Sequence, residues 1–429
     1  MKYSQNRSKV SKLISKVITT GSNKIWTMSE NHSEYVGFKR LLESKFLKLS
    51  FFRDVLFNLT EVRLKQDTKY LAIIDGSEIR KPSSKASTKL QGVKALDGKI
   101  VRGYRSTGTV IISEDNSEVY LFDQEVFSCK EAKYKSDNDY ARKAIKQVAK
   151  LKKNVIFVLD RYYDSLDFMT YINNLNKEFI VRVSHKNRKV DYLTKPFKCN
   201  LPISKEAKEK LLTPQVITTD IAAFPIKNEF YETVDRIKLK KGTFYNVKVV
   251  YRYLEVILEN KEGKNVTGTV IEVVLKKNGN LFSESMLLFT NRTNLTKGEI
   301  KQTYYNYLHR YGIEQVFKFL KETLNLESFQ TQDFESIKKL IALTFFAGAY
   351  LYLNKQESLD NPILKKQISH ICLLGRGKGL TGRKYLKQGL ETMFSSLLVS
   401  KWQQVNNISD EELWEMMEYF GLTKGFEKC

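Results

Sequence analysis

The ten residues KYLAIIDGSE, Lys69–Glu78, decide how this chain is read. Their charge-free apolar run is too short for a helix and is closed by Asp75-Gly76. A run that is apolar on both faces is what the central strand of a helix-covered sheet requires. The stretch NVIFVLDRYYD, Asn154–Asp164, repeats the design and ends on Asp160. Between the two, TGTVIISE (Thr107–Glu114) and SEVYLFDQEVF (Ser117–Phe127) flank a polar Asp-Asn turn as a hairpin does. NDYARKAIKQVAKLKK, Asn138–Lys153, has helical periodicity, and KEFIVRVSHKN, Lys177–Asn187, supplies a third buried run after another helix. Strand, hairpin, helix, strand, helix, strand predicts a mixed α/β sheet with helices on its faces.

Outward from this core the pattern changes. FYNVKVVYRYLEVILE (Phe244–Glu259), TVIEVVLKKN (Thr269–Asn278) and MLLFTN (Met286–Asn291) are long alternating segments. They predict a β-rich insertion over 190–290. After it the chain turns helical, through the stretch YNYLHRYGIEQVFKFLK, Tyr305–Lys321, and the apolar run that follows. The expected organisation is therefore a helical region at 1–66, a catalytic sheet at 67–189 and 291–355 interrupted by the insertion, and a helical region at 356–429.

Charge narrows the function. Lys and Arg number 72 against 48 Asp and Glu, a net +24 that points to a polyanionic partner. A membrane surface is the weaker reading. The longest charge-free apolar run, LIALTFFAGAYLYL (Leu340–Leu353), is 14 residues, below the ~20 that span hydrocarbon. The N-terminus has no apolar signal core. Residues 1–66 hold 13 Lys or Arg against 5 acids, with apolar positions at helical spacing in Phe38–Leu59. Nucleic-acid contact is expected there. The four cysteines and four histidines are scattered without metal-ligand spacing, which fits a reducing cytoplasm.

Two strands ending in Asp75 and Asp160, side by side, deliver both carboxylates to one sheet edge, where open α/β sheets place their sites. Read as one continuous helix at ~100° per residue, Tyr305–Lys321 puts Tyr307, Arg310, Glu314 and Lys321 within about 60° of one another. A third carboxylate thus shares a stripe with two cations and a phenol, groups suited to a phosphodiester. Three gathered carboxylates repel by about 4 kcal/mol per pair at ~4 Å and an effective dielectric near 20. They call for a hard divalent ion, Mg²⁺ or Mn²⁺.

The spacing Y-x2-R-x3-E-x6-K is met without a gap by Tyr307, Arg310, Glu314 and Lys321. With Asp75-Gly76, Asp160-Arg161 and LLFTN before the last helix, the chain resembles the bacterial insertion-sequence DDE transposases over roughly residues 67–355. The resemblance implies an RNase H-like catalytic domain with a β-strand insertion. It implies that Asp75, Asp160 and Glu314 ligate two metal ions that drive in-line phosphoryl transfer. Tyr307, Arg310 and Lys321 are then expected on DNA phosphates. It further implies a homodimer in a synaptic complex on double-stranded DNA, in the bacterial cytoplasm at the nucleoid, with no ATP because transesterification conserves the phosphodiester. Excision in this group commonly passes through a DNA hairpin with one base flipped onto an aromatic ring. The family often has Trp after the motif's Arg, whereas Tyr311 stands here, so Tyr311 and Phe289 are the stacking candidates.

Alternatives stay open at this level. Glu78, Asp164 and Asp167 are further acids near the favoured aspartates. Arg161, Arg182 and Lys186 suit a DNA path, and ordinary surface charge explains them as well. GRGKGLTGRK, Gly375–Lys384, lacks the Lys-Ser/Thr ending of a nucleotide-binding loop, so Arg376, Lys378, Arg383 and Lys384 are read as DNA-phosphate contacts. A nuclease of the same fold without strand transfer and a non-catalytic DNA-binding descendant are the competing functions.

Overall fold

Strand β1, Tyr70–Arg80, contains the deciding run and organises the computed structural model. The structure describes residues 2–193, 216–223, 228–238, 244–259, 265–277, 280–281 and 284–360. Leu71 and Ile73 enter one core and Tyr70, Ala72 and Ile74 the other, the period-two alternation of a strand covered on both faces. β1 runs antiparallel to β3 (Ile100–Ser113) and parallel to β5 (Val155–Leu159). β4 (Val119–Phe127) and the short β2 (Gln91–Lys94) pair antiparallel with β3, and β6 (Phe179–Arg182) lies parallel to β5. The path β4-β3-β1-β5-β6, three strands antiparallel and then two parallel to β1, is the RNase H-like sheet.

The predicted β-rich stretch continues this sheet beyond β6. Its strands are β7 (Lys189–Leu193), β8 (Val216–Asp220), β9 (Glu229–Lys238), β10 (Phe244–Glu259), β11 (Asn265–Lys277), β12 (Asn280–Leu281) and β13 (Met286–Thr290). β13 pairs antiparallel with β6 on one side and β11 on the other, so the order runs β6-β13-β11-β10-β7-β8.

Helices cover both faces. α5 (Asp137–Val148) and α6 (Leu166–Asn173) pack on the face of Ile74 and Leu159, their N-termini capped by the side chains of Ser136 and Ser165. The opposite face carries α1 (Lys2–Thr20), α2 (Ile25–Met28), α3 (His32–Glu43) and α4 (Leu49–Arg63), then α7 (Lys297–Leu308), α8 (Tyr311–Glu322) and α9 (Phe334–Asp360). Basic residues of the first helices partly serve the fold: Arg53 on α4 binds Asp123 and Glu125 of β4 at 3.1 Å each.

α9 corrects the length argument. Phe334–Leu353 is long and apolar enough by composition to span a membrane, but 67% of that window is buried against this protein's own elements. Lys339 on it donates to the carbonyls of Leu42 and Ser44 at 2.7 and 2.8 Å, closing the C-terminal end of α3.

Glycine lets α8 lie close on the sheet. Gly108 of β3 stands opposite Asp75, and a Cβ there would meet Phe317 ring atoms at 2.7 and 2.8 Å. Gly108→Val is therefore expected to destabilise the protein by about 1–3 kcal/mol through overpacking. An unchanged urea midpoint in that variant would contradict the packing.

Candidate functional site

Parity along the strands places the first two acids. Asp75 follows Leu71 and Ile73 on β1, and Asp160 follows Val158 on β5, so both leave the sheet on the face of α7–α9. The parallel register pairs Ile74 with Leu159, which brings Asp75 and Asp160 level on neighbouring strands. Adjacent strands lie about 4.8 Å apart. Asp160 remains extended (φ −76°, ψ 168°) and starts the single 3₁₀ turn Arg161–Tyr163.

The other side of the site is built by a broken helix. The single helix expected over Tyr305–Lys321 is two, α7 and α8, meeting at His309-Arg310. Both residues keep right-handed helical angles. The amides of Arg310, Gly312 and Ile313 bond instead to the carbonyls three residues back, at 3.0, 2.8 and 3.2 Å. Such a tightened turn bends the axis. Gly312 belongs to it and presses on Ile112, whose Cδ1 lies 2.5 Å from where a Cβ would stand. Across this junction Arg310 and Glu314 still meet as an i, i+4 pair, while Lys321 finds its partners further along β1. α7 is fixed upstream by a capping box in which Thr296 and Glu299 bond each other's backbone amides.

Arg310 is the centre of the cluster. Its Nη1 donates to Asp75 Oδ2 at 3.0 Å and its Nη2 to Glu314 Oε1 at 2.6 Å. Tyr307 donates its hydroxyl to Asp160 Oδ1 at 3.3 Å. Lys321 reaches further along β1, donating to the Glu78 carbonyl at 2.6 Å and lying 3.5 Å from Glu327. Burial pushes the Asp75 carboxyl up to about 6 against the pull of Arg310, with Asp160 and Glu314 adding to the rise. Burial and the nearby Asp160 charge push the Tyr307 phenol up to about 12. Burial lowers Lys321. For Arg310 burial acts downward, and the surrounding acids outweigh it and raise the guanidinium.

The donor set suits a hard cation because it is all oxygen. Among the described residues, however, no three acids, histidines or cysteines gather closely enough to hold a metal as they stand. Arg310 supplies the positive charge between Asp75 and Glu314.

A family model described as Transposase DDE domain matches residues 66–350. The chain belongs to this family of DDE transposases. No curated protein matches it. The family acts on DNA and generally uses divalent metal ions, in keeping with a basic protein whose acids crowd around one cation.

The remaining residues of this transposase sort by position. Arg182 approaches the Tyr307 hydroxyl, while Arg161 is exposed just after Asp160. Lys186 forms an ion pair with Glu284. Tyr311 is 60% exposed at the start of α8. Phe289 lies fully buried in the sheet and has no face for a base. Arg376, Lys378, Arg383 and Lys384 lie outside the described residues. Of the competing acids, Asp167 is exposed on the first turn of α6. Glu78 continues β1 beyond Asp75, 4.0 Å from Arg80.

Asp164, an acid ranked behind Asp75 and Asp160, is engaged elsewhere. Its side chain is fully buried and accepts from the Ser184 and His185 amides at 2.6 and 3.0 Å and from Arg188 Nη1 at 2.6 Å. The signal in the sequence was its Arg188 partner, 24 residues away, which no local pattern connects to it.

Proposed function

We propose that this transposase cuts DNA at the ends of its mobile element and joins the freed 3′ ends to target DNA, using Asp75, Asp160 and Glu314 as metal ligands. The observation that supports the reading most is the level, same-face placement of Asp75 and Asp160, with Glu314 tied to Asp75 through Arg310. Two Mg²⁺ or Mn²⁺ ions held by these carboxylates would activate the attacking oxygen and stabilise the leaving one.

The chain's own groups do the rest. Arg310 leaves the acids when a stronger cation neutralises them, and its planar fork then suits two phosphate oxygens. Tyr307 holds Asp160 in place. Lys321 sits beyond Asp75 along the strand, where the phosphate backbone continues, and Arg182, Arg161 and Lys186 extend a basic flank. The basic stretch bearing Arg376, Lys378, Arg383 and Lys384 and the basic helices of residues 1–66 add contacts to double-stranded DNA. Two element ends must be cut together, which calls for a homodimer on DNA. A hairpin intermediate places a flipped base on Tyr311, the exposed aromatic of the pair considered.

Supplying a duplex with a pre-cut 3′ hydroxyl from the element end, with Mg²⁺ and a plasmid target, separates the functions. Joined product is expected. Nicking without joining would leave a nuclease, and absence of both would leave a DNA-binding protein.

A further inference from the structure

Strand β1 does not stop at the site. It runs beyond Asp75 to Arg80, paired throughout with β3, and β2 pairs with the outer end of β3. Gly108 of β3 stands opposite Asp75, and the strand begins at Ile100. At ~3.4 Å per residue this three-stranded arm reaches roughly 27 Å past the acid, a span of about eight base pairs. Its root is fixed. Lys81 donates to the carbonyls of Glu327 and Phe329 at 3.2 and 2.5 Å, and Tyr104 donates to the Thr88 carbonyl at 2.6 Å while its ring stacks on Phe334. Its tip is a closed turn, in which the Gly98 amide bonds to the Ala95 carbonyl at 3.0 Å and the Lys99 amide to Asp97 Oδ1 at 3.2 Å. Gly98 has φ +86°, a left-handed angle that glycine takes without strain.

Charge and apolar surface select the partner. Residues 80–105 hold eight Lys or Arg against one acid, Asp97. Lys85, Lys89, Lys94, Lys99 and Arg102 are exposed along the arm. At its tip Leu96 is 93% exposed and Ile100 73%. Apolar side chains held in water by a rigid turn gain nothing from the fold itself. A second copy of a chain with net charge +24 repels such a lysine-flanked tip. A duplex attracts it, and DNA grooves accept apolar side chains between basic ones.

We propose that the arm carries the target duplex, with Leu96 entering a groove and Lys94 and Arg102 on the flanking phosphates. The inference rests on the reading of this protein as one that joins element ends to a second DNA. Sheet order separates the two duplexes. It runs β2-β3-β1-β5-β6, so the arm lies on one side of Asp75 and Asp160, while Arg161, Arg182 and Lys186 lie at or after the ends of β5 and β6 on the other. Strand joining needs a second DNA path, and hydrolysis does not. Phosphate contacts hold a duplex without reading its sequence, which suits a target.

The test replaces Leu96 with the photoreactive p-benzoylphenylalanine and irradiates the protein with Mg²⁺, a pre-cut element-end duplex and a target duplex that carry different labels. Crosslinking to the target label is expected. A crosslink to the element end, or to a second protein chain, overturns the proposal. So does the absence of any crosslink in a protein that joins the two duplexes, a result that leaves the joining reading standing. The double variant Lys94→Glu, Arg102→Glu should lower joining at least tenfold while affinity for the pre-cut end, by anisotropy, changes less than twofold. Joining within twofold of wild type, or an equal loss of end binding, again sinks the arm as a target path. A wild-type protein that never joins the duplexes sinks the arm and the joining reading together.

Discussion

Asp75→Asn is expected to bind DNA as wild type does and to lose strand cleavage by about a thousandfold or more, because metal-ion stabilisation supplies several kcal/mol at the transition state. Asparagine keeps the size and one carbonyl oxygen of aspartate but loses the charge that holds a divalent ion. Unfolding does not explain the loss. Burial pushes the Asp75 carboxyl up to about 6, so the fold penalises its charge and an uncharged isostere of the same size fits there. Arg310 keeps Glu314 as its partner in the variant. Glu314→Gln and Asp160→Asn should match it. Cleavage within tenfold of wild type in any of the three, with Mg²⁺ or Mn²⁺ in a gel assay, would remove that residue from the metal site.

The second large effect is on stability. Asp164→Ala should cost about 3–5 kcal/mol, the usual penalty for breaking a buried charge pair and stranding its partner. Arg188 is then left with a mostly buried guanidinium, the Asp164 carbonyl 3.0 Å from Nη2 and a long 3.5 Å contact to His185 Nδ1. The amides of Ser184 and His185 lose their acceptor as well. Burial acts to raise the Asp164 carboxyl. Arg188 and the two amides outweigh it and hold the group below the usual carboxylate range. A depressed acid stabilises the fold above its unfolded pKa, about 3.9, and that contribution is lost as pH falls through the native value. The gap between wild type and variant in urea melts should thus be full at pH 7 and shrink below about pH 4. A difference under 1 kcal/mol at pH 7 would show that the pair is not buried as described.

These cases show what local sequence can and cannot carry. β1 and β5 were legible because their runs are apolar on both faces and stop at an aspartate, although β1 does not end or turn there but pairs with β3 as far as Arg80. The face on which Asp75 and Asp160 emerge followed from alternation alone. The break at His309-Arg310 was not legible: both residues keep helical angles, and nothing in their identity marks the switch to bonds three residues back. The Arg310–Glu314 bond is an ordinary i, i+4 pair, but the reach of Arg310 to Asp75 spans 235 residues. Likewise the segments after residue 190 were legible as strands. Their joining of the main sheet through β13 was not, since pairing partners leave no mark in the strand itself. β2, four residues long, was too short to register.

The placement of β13 between β6 and β11 also sets a clock on synthesis. The sheet through β6 can assemble early, and Asp75 and Asp160 can meet there, but Glu314 leaves the ribosome 154 residues after Asp160. At ~5–20 residues per second that interval is on the order of ten seconds or more. A nascent chain therefore holds Asp75 and Asp160 in place before Arg310 and Glu314 exist, and the ion pairs that tie Arg310 to Asp75 and Glu314 form last.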